Sequence, residues 1–448
     1  MSRTPSNASD IGACVSNTKT ASGAQAAATA AAFSSYQKLV VAVLALLQFT
    51  IVLDFMMLAP LGALVMPALQ ITPSQFGLVV STYAFSAGVA GFLTAGFADR
   101  FDRKKLLLFF YAGFIAGTLL CALATTYPLL LAGRMITGLF AGVVGSVSFA
   151  IVTDLFPPQM RGRVMGIIQT SFSVSSVLGM PLALLLSTRW TWNTPFFMLA
   201  IISAVVGAVI QARMRPVDEH LKHHPDRSPL HHLLQTISNP RYGLGFVTTA
   251  LLTVGGFMLM PFMSVFTVHN IGLPLEQLPL VYMITGVCSM VAGPIIGRAT
   301  DSVGTIKVFG FGCAMTIVMV VIYTHLHLTP FWLLCVVMVL LQTGIFSRII
   351  SSSALLSGLP QAADRGAYMS ISSSLQQVSG GVASVIAGLV VVEAPGGELL
   401  HFDLLGYVLV CTTLASLTLM YFVDRRIKSQ TGGGPAPAVT TEPVAVSD

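Results

Sequence analysis

The sequence predicts an all-α membrane protein of twelve transmembrane helices arranged as two pseudo-symmetric six-helix bundles, and three observations predict it. First, 54% of the 448 residues are hydrophobic and 9% are charged, against roughly a quarter charged in a soluble domain. Second, apolar runs of roughly 20 residues, each long enough to cross a bilayer, recur from Leu39 to Val423. Third, the chain repeats itself: Phe55-Met56 to Pro60 recurs as Phe257-Met258 to Pro261, Asp99 as Asp301, and Arg161-Gly162 as Arg365-Gly366, at a nearly constant offset. Six helices per repeat is an even number, so the halves share one orientation and are related by an axis along the membrane normal, which suits alternating access around a midplane cavity.

The expected spans are 39–62, 75–97, 105–124, 128–151, 162–186, 194–213, 242–268, 278–299, 306–325, 329–352, 366–391 and 403–424. Residues 1–38 and 425–448 read as disordered tails from their Ala/Ser/Thr and Gly/Pro composition, with no basic n-region before a cleavable core. A six-helix bundle over 39–213 and another over 242–424 are joined by the polar, proline-rich linker 214–241. If the N-terminus is cytoplasmic, every Lys and Arg except Arg189, Arg134 and Arg348 falls on that side, in a tail, a loop or the adjoining end of a span. The expectation is a bacterial inner-membrane protein with both termini cytoplasmic. The net charge of +6 is dispersed over short loops and forms no aromatic-interleaved basic face, which argues against nucleic acid.

The six cysteines are scattered without metal-ligand spacing. His220, His223, His224, His231 and His232 form a histidine-rich tract in the linker. With no Cys and no HExxH beside them they read as a solvated basic loop, so no metal is expected. No GxxxxGK[ST] loop occurs, which argues against ATP as the energy source. A positioned nucleophile and base are equally lacking, so the expectation is not an enzyme, and no cofactor is implied.

Charge at membrane depth is costly and is a functional candidate by default. Counted at about 1.5 Å per residue, Asp54 lies about 24 Å along the first span from Lys38, and Arg134 about 9 Å into the fourth from Pro128. The two depths match, so an Asp54–Arg134 ion pair on neighbouring helices is expected, as a proton-coupling site or as a structural bridge. Arg348, near the inner end of the tenth span, has a side chain long enough to snorkel to water.

Between the second and third spans runs Gly91-Phe-Leu-Thr-Ala-Gly96-Phe-Ala-Asp99-Arg100-Phe-Asp102-Arg103-Lys104-Lys105, echoed by Gly297-Arg-Ala-Thr-Asp301-Ser-Val-Gly304. This run resembles the cytoplasmic signature of the major facilitator superfamily, and the resemblance covers about Leu39 to Val423. It implies a gating latch involving Asp99, Arg100, Arg103, Lys104 and Asp301, with Asp154 as the partner of Arg103. An acid aimed at a helix N-terminus of the other half would gain from the helix dipole. Two positions depart from the family pattern: Ala95 replaces a Gly before the acid, and Asp102 replaces the turn Gly. Arg134-Met-Ile-Thr-Gly138 with Phe140-Ala-Gly142 resembles the family's helix-four signature, whose Arg is linked to proton coupling, and Asp54 matches the helix-one acid of its drug:proton antiporters. In the fifth span Gly166, Ser175, Gly179 and Pro181 approach the antiporter signature, with Ser175 in place of a Gly and Met180 inserted before the Pro. In physical terms these are small residues that permit close helix approach and a proline that kinks the helix.

Gln48, Thr170, Gln342, Gln376 and Gln377 are candidate cavity residues, because each is polar within an apolar run. The Met- and Phe-rich stretch Phe257–Met263 would suit an adaptable apolar pocket or ordinary core packing. Together these features lead to a monomeric secondary transporter whose partners are protons, the lipid bilayer and a small organic solute. Proton-coupled efflux (antiport) of a small organic solute or drug is the first expectation, and a uniporter or proton symporter of a sugar or other metabolite is the alternative.

Overall fold

The computed structural model describes residues 33–218, 229–361 and 364–431. Within them the chain is almost wholly helical. The first span is Ser35–Met57, resuming after a break as Gly62–Leu69; the second is Pro73–Phe97, the third Arg103–Ala122 and the fourth Tyr127–Leu155. The fifth runs Pro158–Val174 and Met180–Arg189 around a wider turn, Ser175–Gly179, and the sixth is Thr194–Arg213. A short helix, Pro229–Ile237, precedes the seventh span, Pro240–Leu259, which resumes as Met263–His269. The eighth is Leu278–Val303, the ninth Thr305–Thr324, the tenth Phe331–Ser357, the eleventh Arg365–Val390 and the twelfth Phe402–Thr431. A two-residue hairpin, Val392–Glu393 against Leu399–Leu400, closes the turn before the last span.

The helix starts follow local chemistry. Ser34 with Gln37 and Thr72 with Gln75 form reciprocal capping boxes that satisfy amides with no intrahelical acceptor. Proline opens the second, fifth and seventh spans, where its missing N–H costs nothing. The first helix begins four residues before the expected limit, and the last extends to Thr431, so both reach into segments expected as tails. The rest of those tails, and His220, His223 and His224, lie outside the described residues, as do the side chains of His231 and His232.

Eleven of the twelve spans are long and apolar enough to cross a membrane. The eleventh is long enough, at 26 residues, but its Ser- and Gln-rich sequence is less apolar. It lies between the two halves and packs against the second and seventh spans, so protein, not lipid, surrounds much of it. Small residues make that position possible. A Cβ on Gly77 would lie 2.6 Å from the Ser384 carbonyl oxygen, and one on Gly388 2.8 Å from that of Pro73. Within the halves, Cβ atoms on Gly117 and Gly133 would collide with the fourth- and third-span partners Thr137 and Cys121, and the ninth and tenth spans repeat the device at Gly312 and Gly344.

Both broken spans break at repeat-equivalent prolines, Pro60 and Pro261, which lack the N–H that would continue the helix. The breaks sit side by side. Ser264 Oγ donates to the Ala59 carbonyl at 3.1 Å across the interface, and Phe76 meets Phe262 edge-on at 6.1 Å. Accordingly the buried apolar side chains form one cluster shared by both halves around these breaks, from Leu53, Leu61 and Phe76 to Met258, Phe262 and Val265. Toward the end that carries the chain termini the core divides into two, one of first-half residues and one of second-half residues joined by Phe92. The halves are therefore sealed together at the distal end and built on separate cores at the terminal end.

The seam between the second and fourth spans offers a direct test, because a Cβ on Gly142 would lie 2.9 Å from the Ala87 Cα. Gly142→Val is expected to destabilise the detergent-solubilised protein by about 1–3 kcal/mol through overpacking. Gly166→Ala, at an exposed helix-interior site where nothing stands within 4 Å, is expected instead to stabilise it by up to about 1 kcal/mol through helix propensity. Thermal unfolding of the two variants checks this, and equal melting temperatures would refute the seam.

Candidate functional site

Asp54 lies in the last turn of the first helix before its break, and Arg134 lies two turns into the fourth. The seam at Gly138 and Gly142 brings the fourth span close enough to the second for the three helices to enclose both side chains. Arg134 Nη1 donates to Asp54 Oδ2 at 2.8 Å, with the two side chains 1% and 0% exposed. The same nitrogen also donates to the Asp54 carbonyl at 3.3 Å. On its other face the guanidinium lies over the Tyr83 ring, 4.3 Å from the centroid, a cation–π contact strengthened by burial.

Between the two side chains there is a single hydrogen bond. Asp54 Oδ1 and Arg134 Nε are buried with no protein hydrogen-bond partner. A bidentate pair would satisfy both carboxylate oxygens; this one leaves a buried acceptor open. Removing one member of a buried pair typically costs about 3–5 kcal/mol because the other charge is stranded. A proton on Asp54 discharges the acid without removing it, and the open oxygen is positioned to take it.

At the terminal end, Asp102 caps the third span by accepting from the Lys104 amide at 2.7 Å and also accepts from the linker amide of Val217 at 3.4 Å. The Arg103 amide donates to the Val217 carbonyl at 3.0 Å, and Lys104 Nζ to the Gln211 carbonyl at 3.0 Å. Arg103 Nε meets Asp154 Oδ2 at 3.1 Å. That bridge ties the third span to the fourth within one half, whereas the expected latch joins the two halves. Arg100 and Asp301 are exposed; Asp99 stands in the turn Ala98–Arg100, and its side chain is outside the described residues. The departure at Asp102 has a physical reason. Its φ of −55° needs no glycine, whereas its repeat equivalent Gly304 has φ +106°, which L side chains rarely adopt.

In the fifth span, Ser175–Gly179 form a π-helical turn just before Pro181. Proline removes an N–H, and the wider turn accommodates the loss. Ser175 Oγ donates to the Phe49 carbonyl at 3.3 Å and Ser171 Oγ to that of Ala45 at 2.7 Å, stitching this span to the first. Gly179 seats Leu53, and Gly286 of the eighth span abuts the Ser176 carbonyl, so the widened turn touches both halves. Gly166 is exposed with no neighbour at its Cβ position.

The five polar cavity candidates do not form one cluster of hydrogen bonds. Gln48 is half-buried with its Oε1 unpartnered, Gln342 is half-buried, and Gln376 and Thr170 are exposed, the Thr170 hydroxyl returning to the Ile167 carbonyl at 2.6 Å. Gln377 packs instead in the seam of the halves, its Cβ beside Gly88. Arg348 also departs from expectation. It does not snorkel: it is 4% exposed, beside the Cys313 thiol, enclosed where Gly312 and Gly344 close the ninth span on the tenth. Among the described residues no group of three His, Cys, Asp or Glu side chains could hold a metal ion. An apolar groove of about 530 Å³, lined by Ile295, Phe311, Thr343 and Lys307 among others, lies between the eighth, ninth and tenth spans, in the opposite half from the ion pair.

Tyr83 is the site residue that sequence reasoning passes over. Aromatic side chains are common in membrane helices, and its place over Arg134 depends on a helix crossing that no local pattern marks. The signal that points to it is indirect, the glycine at 138 that seats against the Tyr83 backbone.

The sequence profile of the Major Facilitator Superfamily matches residues 44–384 and 245–444. The MFS-type transporter YceJ of Bacillus subtilis (strain 168) is 27% identical over 262 residues, 58% of this chain and 66% of that protein. The chloramphenicol efflux pump Rv0191 of Mycobacterium tuberculosis (strain ATCC 25618 / H37Rv) is 26% identical over 248 residues, 54% of this chain and 58% of that protein. Both alignments thus span less than two thirds of the relative. Among solved structures, that of the nucleoside transporter NupG superposes with a TM-score of 0.69 over 86% of this chain and 99% of that one, at 14% identity, which is a likeness of fold. With the profile covering most of the chain and the twelve-helix architecture in agreement, the protein belongs to the major facilitator superfamily of membrane transporters.

Proposed function

We propose that this transporter is a proton-coupled exporter of a small organic solute, working by alternating access in a bacterial inner membrane with both termini in the cytoplasm. The observation that carries the reading is the Asp54–Arg134 pair: buried, joined side chain to side chain by a single hydrogen bond, and confined to one half. Gly256 occupies the repeat-equivalent position of Asp54, so the second half offers no matching acid. The basic loops support the orientation, and the chloramphenicol efflux activity named for a relative supports the direction of transport.

In this mechanism the deprotonated Asp54 holds Arg134, and the halves are sealed at the distal, periplasmic end. As that end opens, a proton from the periplasm reaches Asp54 Oδ1, neutralises the carboxylate, weakens the bond to Nη1 and stabilises the open state while the solute leaves. The protonated protein then returns to the state sealed at that end, and proton loss to the cytoplasm restores the pair. The solute binds the deprotonated protein between the halves, so proton and solute favour opposite-facing states. The loop around Asp99, held by Asp102 and the Arg103–Asp154 bridge, closes the cytoplasmic side in the alternate state.

Asp54→Asn is expected to reduce pH-gradient-driven efflux of radiolabelled chloramphenicol from proteoliposomes by at least about tenfold, a change of about 1.4 kcal/mol in barrier, while chloramphenicol counterflow persists. Unchanged gradient-driven flux would reject proton coupling at this site. If proton and solute compete, chloramphenicol, ethidium or a neutral sugar that binds should raise the melting temperature more at pH 8 than at pH 6, and Asp54→Asn should erase the difference. Asp99→Ala is expected to slow maleimide labelling of a cysteine placed by Ser264→Cys severalfold, because loss of the cytoplasmic closure favours the state with a sealed periplasmic end. Labelling at the parent rate would remove Asp99 from the gate.

A further inference from the structure

Phe55 and Phe257 occupy equivalent places in the two repeats, and in the folded chain they meet each other. Their ring centroids are 5.8 Å apart at an interplanar angle of 41°, across the boundary between the halves. Phe55 is at the same time 5.5 Å from the Tyr83 ring at 38°, and Tyr83 covers the Arg134 guanidinium. Phe257 is in turn backed by the eleventh span, where a Cβ on Gly380 would lie 2.9 Å from its Cδ1. The ion pair is therefore joined to the seam of the halves by a row of neighbouring rings, Tyr83, Phe55 and Phe257.

Asp54 occupies the residue just before Phe55. A change in the carboxylate's bond to Arg134 thus acts on Phe55 from two directions, along its own helix turn and through the Tyr83 ring. The space around the Tyr83 ring is closed, at 1% exposure with the fourth span resting on its backbone at Gly138, while Phe55 is half-buried. A guanidinium released from Asp54 shifts while in contact with the Tyr83 ring, and Tyr83 has Phe55 as its aromatic neighbour. Packed interiors answer such displacements by switching between discrete arrangements.

Building on the proton-coupled reading above, we propose that Tyr83 and Phe55 are the positioning residues that transmit the state of the Asp54–Arg134 pair to the periplasmic closure at Phe257. The other titratable group beside the pair is Cys121 of the third span. The fifth and sixth spans, which also pack on the first, carry charge only near their ends. The relay needs the Tyr83 ring, which holds the cation and the Phe55 edge, and does not need its hydroxyl.

The test uses the full-length protein with Ser264→Cys as reporter, the other reactive cysteines removed, and maleimide labelling as the readout of periplasmic opening. Asp54→Asn is expected to speed labelling by about tenfold, within the usual range of coupling between sites. With Tyr83→Leu in the background the same substitution should change the rate by less than about twofold, whereas Tyr83→Phe should keep the full effect. An effect of Asp54→Asn that is equally large beside Tyr83→Leu would overturn the relay and leave proton coupling standing. No effect of Asp54→Asn even with Tyr83 present would overturn both. Should Tyr83→Leu fail to fold, Phe257→Leu reads the same coupling from the far end of the chain of rings, with the same two outcomes.

Discussion

Hydrocarbon offers no hydrogen bonds, and every feature of this molecule answers to that constraint. Backbone groups are satisfied within helices, and the many hydroxyls turn back to carbonyls one turn earlier, as Thr118 does to Phe114 and Thr316 to Gly312. Where a hydroxyl leaves its own helix it joins two spans, as Thr50 meets Tyr111 and Thr267 meets Tyr323 at 3.0 and 2.8 Å. Against this background the unpartnered oxygen of Asp54 stands out. An unsatisfied buried acceptor on a charged group is expensive, and the fold retains it beside a cation that satisfies only its neighbour.

The repeat explains why such a feature can act on the whole molecule. Both halves use the same scaffold: a first helix broken at proline, glycine-seated helix pairs, and an aromatic residue just before the break. The scaffold makes the two first helices cross at their breaks and brings the equivalent phenylalanines together. The membrane-embedded Asp54–Arg134 pair is not repeated. An asymmetric charge on a symmetric frame gives one half the sensor and lets the other serve as the body it moves against. The loops diverge likewise: Asp102 caps a helix with its side chain and holds the linker, while Gly304 supplies a backbone conformation and only its carbonyl, which accepts from the Lys307 and Val308 amides.

Most of the fold was legible because hydropathy is strong wherever lipid is the neighbour. The twelve expected spans match the observed helices to within several residues at most ends. The Asp54–Arg134 contact was legible from depth alone, since charges at one level on adjacent helices have few other partners. What the sequence hid depends on crossings. The eleventh helix hides its polar face against protein, Gln377 enters a seam, and Arg348 is enclosed by glycine-mediated contact with a helix distant in sequence. The extension of the first span beyond Pro60 was hidden for a related reason: proline marks a break but does not say whether the helix resumes. Tyr83 carried no mark at all, because its role is fixed by what lies above and below its ring.

The division of the apolar core bears on how such a machine moves. A bundle with one continuous core would resist separation along its whole length, since opening any part exposes buried apolar surface at about 25 cal/mol per Å². Here the shared cluster is confined to the distal end, around the two proline breaks, and the terminal end is built on two cores that Phe92 and the second–eleventh span seam bridge. Opening the distal end therefore asks for loss of one localised set of contacts, with the helix interiors left intact. The contacts at its edge are aromatic rings and single hydroxyl-to-carbonyl bonds, as between Ser264 and Ala59, which separate without stranding a charge. The charge stays inside the first half throughout. That arrangement lets a proton set the balance between two packed states without itself crossing the seam.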